Sequence, residues 1–93
     1  MGQDENRALG AAQIRAARAL LGWTAEDLSR QSAVSLRTIR RAELAQANTS
    51  MTSANDQAIR RAFEVAGVLF IDENGGGLGV RLRQRSSPKG RKS

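Results

Sequence analysis

The side chains best placed to do chemistry lie between residues 37 and 41, where Arg37, Arg40 and Arg41 crowd around Thr38 and Ile39. A guanidinium is a planar fork of N–H donors. It can hold two acceptors at once, on a carboxylate, a phosphate or the O6 and N7 edge of guanine. If this stretch is a helix with Ile39 pointing inward, a step of about 100° per residue turns Arg37 and Arg41 almost straight outward, one turn apart. Arg40 then flanks one side of that face and Thr38 the other. Arginines on a helix exterior ordinarily form a solvated face. Here, however, like charges at 37, 40 and 41 repel one another, with only Glu43 nearby in sequence to offset them. Such a face gains little in the isolated chain and much against an anionic partner.

The rest of the composition offers no competing chemistry. The 93 residues carry 15 basic against 9 acidic side chains, a net charge of +6, and nearly all the basic residues are arginine. That balance points to an anionic partner without choosing between nucleic acid and a membrane surface. There is no cysteine and no histidine, which removes disulfides, thiolate metal sites and the commonest general base together. Serine, threonine and carboxylates are present, but no base is positioned to activate a nucleophile. Catalysis, a cofactor and a bound metal are therefore not expected. No apolar run approaches the ~20 residues needed to cross a bilayer, and the polar start Met1–Arg7 is unlike a signal peptide. The expected location is the cytoplasm, with no membrane partner.

The elements that must position the arginines can be read from periodicity and caps. A chain of this length makes one domain at most. Residues 1–7 read as a flexible N-terminus. From Ala8 to Leu21 the pattern is helical, with Leu9, Ile14, Ala17, Leu20 and Leu21 near one stripe and Arg15 and Arg18 off its centre. Gly22 closes this helix and Trp23 follows as an apolar lock. Thr24, with Asp27 three positions later, starts a second helix over 25–32 with Leu28 inward. After a short turn at Ala33 and Val34, Ser35 caps a third helix over 36–45, with Ile39 and Ala42 inward. A polar loop over 46–53 leads to a fourth helix near 54–66, capped by Thr52 or Ser53 and buried through Ile59, Ala62, Phe63 and Ala66.

The stretch TAEDLSRQSAVSLRTIRRAE, preceded by IRAARALLGW, resembles the lambda-repressor-like, Cro-like helix-turn-helix regulators, also called the xenobiotic-response-element family. The resemblance covers about residues 9–67. It implies a mainly α, four-helix helix-turn-helix domain over 8–67 that reads double-stranded DNA in the major groove. By that resemblance Leu36, Arg37 and Arg41 occupy base-reading positions, and Arg18 occupies the position that pairs with the acid closing the recognition helix, here Glu43. As caps, Thr24 and Ser35 sit where backbone N–H groups can meet phosphates. Thr38 and Arg40 join them as phosphate contacts. Three positions depart from the family pattern: Ala25 replaces a glutamine, Ser29 a small alanine that packs at the helix crossing, and Ala33 the turn glycine. An alanine in an unchanged turn would take positive φ at a cost of roughly 1 kcal/mol.

Beyond the fourth helix, VLFID and VRLR flank a glycine-rich stretch and read as a β-hairpin over 68–83. The glycines at 75–77 and 79 lack the Lys-Ser/Thr ending of a phosphate loop. An isolated hairpin is marginal in water, so Val68, Phe70, Val80 and Leu82 need a cover. The chain's own fourth helix and a second subunit are both open as that cover, and the second makes these four residues candidate dimer contacts. Residues 84–93 read as a disordered basic tail, in which Arg85, Lys89, Arg91 and Lys92 could track phosphates. The expectation is a homodimeric regulator, a repressor or its like, on an inverted repeat of half-sites. The alternative is a helix-turn-helix module that captures a protein regulator or a toxin.

Overall fold

A computed structural model describes residues 9–45, 51–71 and 79–83. The elements run in the order α1 (Ala11–Leu21), α2 (Ala25–Ser32), α3 (Leu36–Leu44), α4 (Ser53–Val65), β1 (Val68–Ile71) and β2 (Gly79–Leu82). The protein is thus mainly helical with one small antiparallel hairpin. Residues 1–8, 46–50, 72–78 and 84–93 lie outside the described residues, and with them the expected flexible N-terminus, most of the expected polar loop, the glycine-rich stretch and the expected basic tail.

Helix α1 begins later than the periodicity suggests. Gly10 is its extended N-cap residue, and the Gln13 side chain accepts the Gly10 N–H at 3.0 Å. Leu9 lies before the helix yet is fully buried, its N–H donated to Asp56 Oδ1 of α4 at 2.9 Å. At the other end Gly22 adopts φ 68°, the left-handed region that glycine enters freely, and Trp23 N–H reaches back to the Arg18 carbonyl. Leu20 corrects the expected stripe. It stands about 120° around the helix from Ile14, and it is 41% exposed whereas Ile14 and Ala17 are enclosed. Arg18, one turn after Ile14, instead lies at the inward edge.

Helix α4 starts at Thr52, whose hydroxyl accepts from Asn55 N–H, and buries Ile59, Ala62 and Phe63. Ala66, expected on that buried face, is exposed beyond the last turn. Phe63 is the largest enclosed side chain. Trp23 stacks on it with ring centroids 5.6 Å apart, and Phe70 meets it edge-on at 5.9 Å. One ring therefore joins α4 to the α1–α2 turn and to the hairpin. Truncating it to alanine should cost about 3–5 kcal/mol.

The hairpin pairs Val68 with Leu82 and Phe70 with Val80, which puts these four on one face. That face is covered from within the chain by α1 and α4. Val68 is fully buried, and Phe70 and Val80 are half-buried against the same core. Of the two covers left open by the sequence, Val68 takes the one within its own chain, and it has no surface left to offer as a dimer contact. Leu82 alone of the four is exposed. Gln13, itself buried, ties the far end of the hairpin to α1 by donating through Nε2 to the Gly79 carbonyl at 3.1 Å.

Candidate nucleic-acid interface

Two caps and one turn fix how α2 presents α3. Thr24 Oγ1 accepts the Asp27 N–H at 3.0 Å while Asp27 Oδ2 accepts the Thr24 N–H at 2.9 Å, closing a capping box. The bond from the Thr24 backbone, aided by the Thr24 hydroxyl and Arg30, holds the Asp27 carboxyl below its ordinary pKa. Ser35 Oγ accepts the Thr38 N–H at 3.1 Å and caps α3. Between the helices Ala33 has φ 63°, so the alanine does occupy a left-handed position, and its N–H closes onto the Ser29 carbonyl at 2.8 Å. Ser29 donates its hydroxyl to the Val34 carbonyl at 2.7 Å. The serine that departs from a small apolar residue thus satisfies a carbonyl of the turn. Buried Ser32 donates to the Leu28 carbonyl and accepts from Val34 N–H. Val34 itself is buried.

Within α3, Ile39, Ala42 and Glu43 face inward and Arg37, Arg40 and Arg41 are exposed. Among the described residues Arg37 and Arg41 make no hydrogen bond or ion pair. One turn apart, they are separated by about 6 Å along the axis. Leu36 is half-buried against the core, so only part of its side chain is left for a groove. Thr38 is also half-buried, and its hydroxyl accepts from Ser35 Oγ at 2.9 Å.

Glu43 is not the counter-ion of the arginine face. Arg18 Nε and Nη2 donate to its two carboxylate oxygens at 2.7 and 2.8 Å, which locks α3 onto α1. Those bonds, against the opposing effect of burial, raise the Arg18 pKa above its ordinary value. Arg15 adds a hydrogen bond to the Glu43 backbone carbonyl, in the last turn of α3, where carbonyls lack helical partners. The charge that answers the outward arginines comes from another helix. Glu26 Oε2 on α2 accepts from Arg40 Nη2 at 3.1 Å. The sequence by itself assigns no contact to Arg15 or Glu26. The only local sign of Arg15 is its spacing of three from Arg18.

Among the described residues, no group of three or more His, Cys, Asp or Glu could hold a metal ion. No helix there is long and apolar enough to cross a membrane. The chain matches no family model and no curated protein.

Proposed function

We propose that this chain is a sequence-specific, double-stranded DNA-binding regulator of the lambda-repressor-like helix-turn-helix kind, with α2 and α3 as its helix-turn-helix pair. The observation that carries the reading is the free arginine pair on α3. Arg37 and Arg41 are exposed, one turn apart and without a partner among the described residues. They stand on a helix whose opposite side is pinned by Ile39, Ala42 and the Arg18–Glu43 pair. A rigid rod with two unspent guanidinium forks suits the acceptor-rich floor of the major groove. Arg40 and the cap residues at the N-termini of α2 and α3 suit the flanking phosphates.

One such helix covers too few base pairs for useful specificity. The reading therefore includes a homodimer whose two recognition helices contact half-sites about one helical turn apart. The test is selection from a randomised duplex pool with the full chain. The expected product is a pseudo-palindrome with guanines at fixed positions in each half. A pool that returns no enriched sequence would count decisively against the reading.

A further inference from the structure

Glu26 has no task in that reading, although it touches Arg40, the one of the three outward α3 arginines with a partner among the described residues. Its carboxylate sits in the first turn of α2 and accepts from Arg40 Nη2 at 3.1 Å, across 14 residues of chain. It is not needed as a cap, because Thr24 and Asp27 close that end between themselves. Nor is the pair sheltered: the two side chains are 59% and 53% exposed, so water and a competing anion can reach both ends. On the proposed interface, α2's N-terminus and Arg40 would face the same phosphate track, and Glu26 places a fixed negative charge there.

Resting on that DNA-binding reading, we infer that Glu26 is an internal competitor of the DNA backbone: it neutralises Arg40 in the free protein, and a phosphate must displace it. An arginine already paired with a carboxylate contributes less to counter-ion release than a free one. Arg40 therefore adds little to sequence-independent affinity while Glu26 holds it. Arg37 and Arg41, which have no such competitor among the described residues, are left to dominate binding. Glu26 is a positioning residue in this scheme, acting through Arg40.

The test uses the full chain and a labelled random-sequence duplex, with binding measured across a salt series. Glu26→Gln keeps the side chain's size and removes its charge. It should tighten binding to random DNA about two- to fivefold, the worth of an exposed ion pair. It should also steepen the slope of log K against log salt by about 0.9, the worth of one more neutralised phosphate. In an Arg40→Ala background the same substitution should change neither quantity. An unchanged slope for Glu26→Gln overturns the inference. So does an equal gain in the Arg40→Ala background, because Glu26 would then be repelling phosphates directly. A parent chain that binds no duplex even at low salt overturns the DNA reading as well, and that result is distinguishable because no slope exists for any variant.

Discussion

Arg18 on α1 grips both carboxylate oxygens of Glu43 on α3, and its remaining nitrogen, Nη1, donates to the Trp23 carbonyl at 3.1 Å. One side chain thus joins the first helix, the turn that follows it and the end of the arginine-bearing helix. The two side chains are 24% and 10% exposed. The bonds are charge-assisted and partly shielded from water, which makes them stronger than an exposed pair. The consequence is orientational. Because α3 is fastened at its inner edge, its outer edge is presented at a fixed angle.

Removing one partner should therefore destabilise the fold. Glu43→Ala leaves a half-buried guanidinium without its acceptor and should cost about 1.5–3 kcal/mol, the usual worth of hydrogen bonds to charged groups. Urea unfolding followed by circular dichroism measures it. A loss below about 0.5 kcal/mol, typical of an indifferent surface site, would show that the pair does not hold α3.

The outward arginines should separate into two behaviours. On a selected site, Arg37→Ala and Arg41→Ala should each weaken binding by about 1–3 kcal/mol and relax preference at one base position. Arg40→Ala should weaken binding only slightly, and alike on selected and shuffled duplexes, because Glu26 already holds Arg40 in the parent. Fluorescence anisotropy on both duplexes distinguishes the patterns. If all three variants bind both duplexes as the parent does, the reading face has been misplaced.

Ala33 offers a gain in stability. Its φ of 63° is a conformation in which a Cβ is strained. Ala33→Gly should stabilise the protein by about 0.5–1 kcal/mol even after the added freedom of the unfolded chain. For a domain of this size that raises Tm by about 4–8 °C per kcal/mol. A fall in Tm would mean the turn tolerates alanine without strain.

Acid should loosen α2 through Asp27. Its carboxyl is held below the ordinary value of 3.8, chiefly by the Thr24 backbone N–H. A carboxyl depressed in the folded state adds stability that is present above its unfolded pKa and lost as the pH falls through the folded one. Parent and Asp27→Asn should therefore differ in Tm at neutral pH and converge in acid below that ordinary value. A difference that stays constant across the range would assign the effect to something other than the charge.

Much of this protein is written in short-range signals. The caps at Thr24, Ser35 and Thr52, the stop at Gly22 and the outward set of Arg37, Arg40 and Arg41 each depend on residues within about one helical turn, so a linear reading reaches them. The strained Ala33 was legible for the same reason, once the turn was matched to a familiar pattern. Other features depend on how helices dock. Asp56 meets the Leu9 amide across 47 residues, Gln13 reaches Gly79 across 66, and Glu26 answers Arg40 across 14. No spacing rule links such residues, because their distances follow from the crossing of packed elements rather than from the pitch of one. The tertiary structure alone decided that Val68 is spent within its own chain, and that Arg40, unlike Arg37 and Arg41, has a partner among the described residues.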